Sequence, residues 1–173
     1  MDTIFLNDFK SSFHKYCKID NIIFDDIHVL LYSCDSFLLE CYLSSNLKMK
    51  FESTQTISKT TYNDVTFEYN QQFCIFDMVT IVHQFSDFVE YLDSVSRNKV
   101  LFDKKLFIII KNIHLLNKHQ QSILSSIIDF QRQNTVICTT TIFSKIIERV
   151  KSRMFSKRLT LHNFHDTLNT YAK

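Results

Sequence analysis

The sequence predicts an α/β fold in which a mostly parallel sheet of about five strands is flanked by helices. In the second half of the chain, short apolar runs alternate with stretches whose apolar residues recur at helical spacing. The run from Ile27 to Tyr32 is apolar except for His28, as expected of a strand covered on both faces. From Met49 to Tyr69 apolar and polar residues alternate, which indicates an inserted antiparallel hairpin with one wet face.

The predicted elements follow one another in a regular order. Residues 5 to 17 have helical spacing, and Asp35 or Ser36 is placed to cap the helix after the first strand. The later elements are a strand over Phe73 to Phe76, a helix capped by Asp77, a strand over Leu106 to Ile110, a helix striped from Leu116 to Ile128, a strand over Thr135 to Thr140, a helix striped from Ile146 to Met154, a strand over Arg158 to Leu161 and a terminal helix through Leu168. This alternation implies right-handed crossovers and parallel strands.

Composition limits the number of domains and the classes of function. With 173 residues and 45% hydrophobic content, residues 1–173 are predicted to form a single domain. The formal net charge of +2 gives no global attraction to nucleic acid or to an anionic membrane. No apolar run approaches the about 20 residues of a membrane span, and no signal peptide is visible. We therefore expect an intracellular, reducing compartment, namely a host cytoplasm, a viral factory or a nucleus.

The chain contains no glycine, and it also lacks proline and tryptophan. Abundant Lys, Asn, Ile and Phe indicate an AT-rich genome. Turns that need a positive φ must then be made by other residues, and Asn46, Asn63 with Asp64, Asn98 and Asn117 lie where such turns are expected. A loop that cradles phosphate normally depends on glycine. The five cysteines have no C-x-x-C pair or paired histidine spacing, so no metal site is predicted.

Several segments resemble the small subunits of replication factor C and the related delta-prime subunit of bacterial clamp loaders, which belong to the AAA+ class. The segments are Leu106-Phe-Ile-Ile-Ile-Lys-Asn-Ile-His-Leu-Leu, Gln120-Gln121, Thr135-Val-Ile-Cys-Thr-Thr-Thr, Lys145-Ile-Ile-Glu and Ser152-Arg153-Met154. The resemblance is clearest over residues 106–154 and is collinear over 27–105. It implies a P-loop AAA+-like sandwich, with residues 162–173 as the vestigial start of a lid domain.

The family's phosphate-binding loop is degenerate in this chain. Where the family has G-x-x-x-x-G-K-T, this sequence has Ser33-Cys-Asp-Ser36-Phe-Leu-Leu39-Glu40. Leu39 stands at the position of the phosphate-binding lysine, and Glu40 at that of the Mg²⁺-binding hydroxyl. Because these changes remove a positive charge and add a negative one, we expect no ATP binding and no cofactor.

The family's other nucleotide-handling positions are also replaced. Lys111 and Asn112 follow the strand that ends in Asp-Glu in the family, and Thr141 aligns with the sensor asparagine. Neither Lys111 nor Asn112 can hold a metal ion or activate water as a carboxylate does. Ser125 and Ser126 occupy positions where the family has basic residues that follow DNA. The chain is therefore predicted not to be an enzyme.

Ser152-Arg153-Met154 resembles the family's S-R-C motif, whose arginine reaches into a neighbouring subunit's ATP site. The resemblance implies such a role for Arg153, and the alternative is an ordinary solvated arginine at a basic helix end. The surrounding positive charges are suited to phosphates or an acidic partner, or they form a solvated face. These residues are Lys145, Arg149, Lys151, Arg153, Lys157 and Arg158.

Three functional hypotheses follow. The first is a catalytically inactive, clamp-loader-like binding or scaffold subunit of a DNA replication assembly, from a virus or mobile element, with a polymerase, a sliding clamp or other loader subunits as partners. The second is a subunit that supplies Arg153 to a partner's ATPase site. The third is a DNA-binding module that uses the basic C-terminal cluster, with weak affinity.

Overall fold

The secondary structure is known for most of the chain: this computed structural model describes residues 27–51, 57–97, 105–131 and 133–160. The strands are β1 Val29–Tyr32, β2 Ser58–Tyr62, β3 Val65–Tyr69, β4 Phe73–Asp77, β5 Phe107–Lys111, β6 Thr135–Thr140 and β7 Phe155–Arg158. The helices are α1 Ser36–Phe51, α2 Met78–Ile81, α3 Phe85–Arg97, α4 Lys118–Phe130 and α5 Glu148–Lys151, and the 3-10 turns are Val82–Gln84, Ile113–Leu115 and Phe143–Lys145. The predicted helices over 5–17 and through Leu168, and the predicted lid segment 162–173, lie outside the described residues.

The seven strands of the described residues belong to one sheet, in the order β2-β3-β4-β5-β6-β1-β7. The five strands from β4 to β7 in this order are parallel to one another. β2 and β3 form an antiparallel hairpin, and β3 continues the sheet by pairing antiparallel with β4. The predicted α/β fold with five parallel strands and an inserted hairpin is confirmed. Since parallel strands end at the same edge, the residues that follow β4, β5, β6 and β1 meet there.

Apolar layers cover both faces of the sheet. On one face, Ile108 and Ile110 of β5 pack in a cluster with residues of α3 and α4, including Phe88 and Leu124. On the other face, Ile109 lies in a second cluster, which contains the buried residues of α1. Ile108, Ile109 and Ile110 are all fully buried. This double coverage explains why the central strands are continuous apolar runs.

Two predicted element boundaries are wrong. Met49 and Phe51, assigned to the hairpin, continue α1, and the hairpin itself begins at Ser58. The ring of Phe51 packs against the rings of Phe73 and Phe107, at centroid distances of 5.5 and 5.0 Å. Because this contact stabilises the helical conformation through Phe51, tertiary packing outweighs the local alternating pattern.

The region after β6 also differs from the prediction. Instead of a helix striped from Ile146 to Met154, the chain forms a 3-10 turn and then the single turn α5. β7 begins at Phe155 and not at Arg158, because Phe155 pairs with Val29 and Arg158 with Tyr32. The early start lets β7 pair along the whole of β1.

Asparagines make the tight turns of this glycine-free chain. Asn63 has φ 50° in the two-residue turn of the hairpin, as predicted, and Asn112 has φ 60° after β5. Asn46 lies inside α1, so its prediction as a turn residue is wrong. Asn117 caps α4 with φ −71°, again without positive φ. Asn98 lies outside the described residues.

Within the part of the chain that the structure describes, no helix is both long and apolar enough to cross a membrane.

Candidate functional site

The candidate site lies at the carboxyl-terminal edge of the parallel strands. Asp77 is the last residue of β4 and pairs in register with Lys111, the last residue of β5. Tyr32 at the end of β1 pairs with Thr140 at the end of β6. The segments that follow β1, β5 and β6, which the sequence resemblance assigns to nucleotide handling, therefore meet at one edge.

Lys111 makes two ion pairs at this edge. Its Nζ atom lies 2.6 Å from Oε1 of Glu40 and 3.5 Å from Oδ2 of Asp77. The Lys111 side chain is only 17% exposed. Burial alone lowers the pKa of Lys111, but hydrogen bonds and charge from Glu40 and Asp77 outweigh it and raise the pKa above its ordinary value. An ammonium group thus sits between two carboxylates, one on α1 and one at the end of β4.

Asp77 and Asn112 extend this network across three strands. Oδ1 of Asp77 accepts hydrogen bonds from Nδ2 of Asn112 at 2.8 Å and from the backbone N–H of Val79 at 3.0 Å. The second bond caps α2, as the sequence predicts for Asp77. The backbone N–H of Asn112 donates to Oγ1 of Thr139 on β6 at 3.3 Å. Asn112 reaches both partners from a left-handed conformation, which asparagine tolerates better than most residues.

The carboxylate of Asp35, in the loop between β1 and α1, caps the start of α1. Oδ1 of Asp35 accepts hydrogen bonds from the backbone N–H groups of Phe37 at 2.8 Å and Leu38 at 3.1 Å. These are the amides that a helix N-terminus offers to a bound anion. The hydroxyl of Ser33 accepts from the Asp35 backbone N–H at 3.2 Å. Leu39, at the position of the family's lysine, is 4% exposed and packs into the core under α1.

An open cleft of about 550 Å³ lies beside this loop. The rings of Tyr32 and Phe143 stack along it with centroids 4.1 Å apart. Arg158, at the end of β7, and the exposed Cys34 also line it. Ser36, predicted as part of the degenerate loop, is the exposed first residue of α1.

Thr141, at the predicted sensor position, contacts a histidine. Its Oγ1 lies 3.4 Å from Nε2 of His114, which belongs to the turn after β5. Burial, and then the positive charge of Lys145, lower the pKa of His114. His114 therefore favours its neutral form, and its contact ties the turn after β5 to the turn after β6.

Arg153 lies at the opposite, amino-terminal edge of the sheet. Its Nε donates to both carboxylate oxygens of Asp129 at 2.7 Å, and its Nη1 donates to the backbone carbonyl of Arg149 at 2.7 Å. The Arg153 side chain is 27% exposed and borders a groove of about 350 Å³ that His28 and Lys105 also line. The arginine is thus held within its own chain, and its role in trans stays a prediction.

Several members of the predicted basic cluster make contacts within the chain, and the binding role of the cluster stays a prediction. Arg149 donates to the hydroxyls of Ser122 and Ser126 on α4, at 3.1 and 3.3 Å. Lys151 pairs with Glu148 at 2.8 Å. The remaining members lie on the turn after β6, directly before β7 and on β7 itself. Lys145 and Arg158 are exposed, and Arg153 and Lys157 are half-buried. Of the two serines aligned with DNA-contacting positions, Ser125 is fully buried.

Sequence reasoning missed the part played by Gln121. This side chain is 1% exposed. Its Nε2 donates to the carbonyls of Leu116 at 2.9 Å and Lys145 at 3.1 Å, and its Oε1 accepts from the N–H of Ile147 at 2.9 Å. The available signals were a glutamine within the apolar stripe of a helix and the place of Gln121 in the segment Gln120-Gln121 of the resemblance. Gln121 fixes the connection between β6 and α5 against α4, and hence the position of Lys145.

Solved structures with similar folds were found, although the sequence matches no protein-family model and no curated protein. Drosophila ORC bound to AT-rich DNA and Cdc6 matches with a TM-score of 0.50 at 13% identity, over 90% of this chain and 55% of that chain. A DNA polymerase III gamma subunit-related protein from Thermotoga maritima matches at 0.45 and 13% identity, over 93% and 48%. C. elegans PCH-2 matches at 0.46 and 13%, over 92% and 44%. The chain spans about half the length of these proteins. The likeness to the Drosophila structure shows that this chain shares its fold.

Proposed function

We propose that this protein is a catalytically inactive, AAA+-like binding or scaffold subunit of a DNA replication assembly, from a virus or mobile element. The observation that carries the inactive part is the ion pair of Lys111 with Glu40. The replication part rests on the resemblance to clamp-loader small subunits over residues 106–154. Its expected partners are a polymerase, a sliding clamp or other loader subunits.

The position expected for Mg²⁺ does not fit a metal ion. Magnesium binds through oxygen ligands such as carboxylates and hydroxyls. Here the Lys111 ammonium lies against both carboxylates that the site offers, Glu40 and Asp77. A divalent cation would have to displace an ammonium whose charged form these carboxylates already stabilise.

The position expected for phosphate is equally unsuitable. The Asp35 carboxylate accepts hydrogen bonds from the backbone N–H groups of Phe37 and Leu38 at the start of α1. A triphosphate would meet this negative charge, and Leu39 supplies no cation to offset it. The protein's own charged groups thus occupy both the position expected for Mg²⁺ and the position expected for phosphate. This supports a role in binding partners without ATP turnover.

Thermal unfolding with and without millimolar Mg-ATP tests the inactive part. A ligand that binds only the folded state raises the melting temperature by mass action. We expect a change of less than about one degree, while a control AAA+ ATPase with an intact site rises by several degrees in the same assay. Stabilisation of this protein by several degrees would contradict the proposal.

A second candidate function is that Arg153 completes an ATPase site on a partner. Its Ser-Arg-Met sequence directly precedes β7, and its guanidinium is partly exposed at the surface. Arg153→Ala is then expected to lower the turnover of a co-purified partner ATPase by about 10³-fold or more, with binding nearly intact. Arg149→Ala, which removes a neighbouring positive charge, is the matched control. Equal turnover with the two variants would eliminate this role.

A further inference from the structure

Three exposed aliphatic side chains lie along the carboxyl-terminal edge of the sheet. Val79 follows β4, Leu115 follows β5 and Ile142 follows β6. Their exposed fractions are 61%, 43% and 39%. An exposed apolar patch that is bordered by polar residues is a feature of interaction sites. We call Val79, Leu115 and Ile142 the apolar rim.

The three turns that carry the apolar rim touch one another. The α2 turn, which contains Val79, contacts the 3-10 turn Ile113–Leu115. That turn also contacts β6, and His114 within it lies 3.4 Å from Thr141, the residue before Ile142. The three residues of the rim therefore lie on turns that contact one another.

Among the described residues of the three turns and their ends, the exposed charged side chains are positive. Lys118, at the start of α4, and Lys145, at the end of the turn after Ile142, are both exposed. The acidic residue in the same turns, Asp77, is already bound to Lys111 and Asn112. A partner that covers the rim thus meets apolar side chains bordered by two lysines, which complements acidic residues.

We propose that the apolar rim, with Lys118 and Lys145, binds an acidic segment of a partner protein that is rich in aliphatic side chains. A nucleic acid fits this surface less well, because two lysines release few counterions and the rim offers no aromatic side chain for base stacking. The proposal deepens the scaffold role and rests on it in requiring a protein partner. It does not depend on the absence of ATP binding, so the Mg-ATP experiment and the one below can fail separately.

The test is selection of a random peptide library, displayed on phage, against the whole protein. Selected peptides are expected to combine Asp or Glu with aliphatic residues. Their affinity, measured by fluorescence anisotropy, is expected to fall about tenfold with Leu115→Ser and again with Lys118→Glu, since each change removes one buried side chain or charge contact. Ile57→Ser and Lys59→Glu are matched controls, because these residues are similarly exposed near the hairpin.

Because all four positions are exposed, melting temperatures close to that of the parent will show that each variant is folded. The proposal is overturned if the library yields no binder, if the selected peptides are basic, or if the hairpin variants weaken binding as much as the rim variants. It is also overturned if a dT20 oligonucleotide binds this edge and loses affinity with Leu115→Ser while the peptides do not.

Discussion

Lys111 ends β5 with its ammonium group between the carboxylates of Glu40 and Asp77. In the sequence, the changes at positions 40 and 111 are two separate losses of nucleotide-handling groups. In the structure they are complementary, because the carboxylate at position 40 is the partner of the ammonium at position 111. Removing one member of such a pair leaves the other charge without its partner, so each of the two residues depends on the other.

Removing the ammonium is expected to destabilise the protein. Lys111→Met leaves Glu40 and Asp77 without their cation at a poorly exposed position, so the free energy of unfolding should fall by about 1 to 3 kcal/mol. Urea denaturation measures this change. Lys59→Met is the control, because Lys59 is 76% exposed and 3.9 Å from Glu68, and its loss should cost less than about 0.5 kcal/mol.

A double-mutant cycle separates pairing from packing at the same site. If Glu40 and Lys111 act together, Lys111→Met with Glu40→Gln should be less destabilising than the sum of the two single changes. Additive effects would show that the two side chains contribute independently, and the inference that the changes at positions 40 and 111 are complementary would be wrong.

The sequence could predict where these residues lie but not how they pair. The resemblance to clamp-loader subunits placed Glu40 and Lys111 near the same nucleotide position, and parallel strand order explains why they meet. The bond between Arg153 and Asp129, which are 24 residues apart in sequence, had no comparable signal. Such pairs depend on side-chain directions that periodicity does not specify.

At the scale of elements, the predictions succeed for strands that are almost completely buried. They fail for helices whose length depends on packing against residues distant in sequence. β5 and β6 are buried throughout except for Lys111, so their apolar runs were sufficient. α1 extends to Phe51 because that ring packs on the sheet, and the helix after β6 is a single turn because Gln121 holds the chain before it. Those contacts join residues distant in sequence.

The start of α1 offers a test at this scale. Asp35→Ala removes the acceptor for the amides of Phe37 and Leu38, and should lower the free energy of unfolding by about 1 kcal/mol. Asp35→Asn should cost only a few tenths of a kcal/mol, since asparagine also caps helices well. Urea denaturation of both variants measures the difference.

Ser36→Ala is the control for that comparison, because Ser36 is exposed and already helical. Its loss should change stability by less than about 0.5 kcal/mol. If Asp35→Ala proves as mild as Ser36→Ala, the carboxylate is not a structural cap and does not hold the amides at the phosphate position.

At the scale of the whole molecule, one sheet separates two sets of polar groups. The charged network of Glu40, Asp77 and Lys111 lies at the carboxyl-terminal edge, and Asp129 with Arg153 lies at the amino-terminal edge. Each edge also holds a histidine whose pKa is lowered, mainly by burial: His114 at the first edge and His28 at the second. Acidification therefore acts on both ends of the sheet at once.

His28 must be neutral for its hydrogen bond. Its Nδ1 accepts the backbone N–H of Val136, the second residue of β6, at 3.0 Å. Burial and then the charge of Lys105 lower the pKa of His28, and the charge of Asp129 opposes them in part. A proton on Nδ1 would remove the acceptor and leave the Val136 N–H without its partner.

The stability of the protein is therefore expected to fall with acidification, beginning near pH 6.5. Below that value the histidines of the unfolded chain take up protons, whereas His28 and His114 in the folded protein stay neutral until the pH is lower. Since the unfolded state then binds more protons, the free energy of unfolding falls as the pH falls, and it does not depend on these two groups well above pH 6.5.

Urea denaturation between about pH 7.5 and about pH 5.5, above the range in which most carboxylates titrate, measures this slope. His28→Asn, whose amide oxygen is also an acceptor, should make the slope shallower, and His28→Asn with His114→Asn shallower still. His83→Asn, at an exposed position, is the control substitution. If the double variant keeps the slope of the parent, the two histidines are not the groups that link folding to pH.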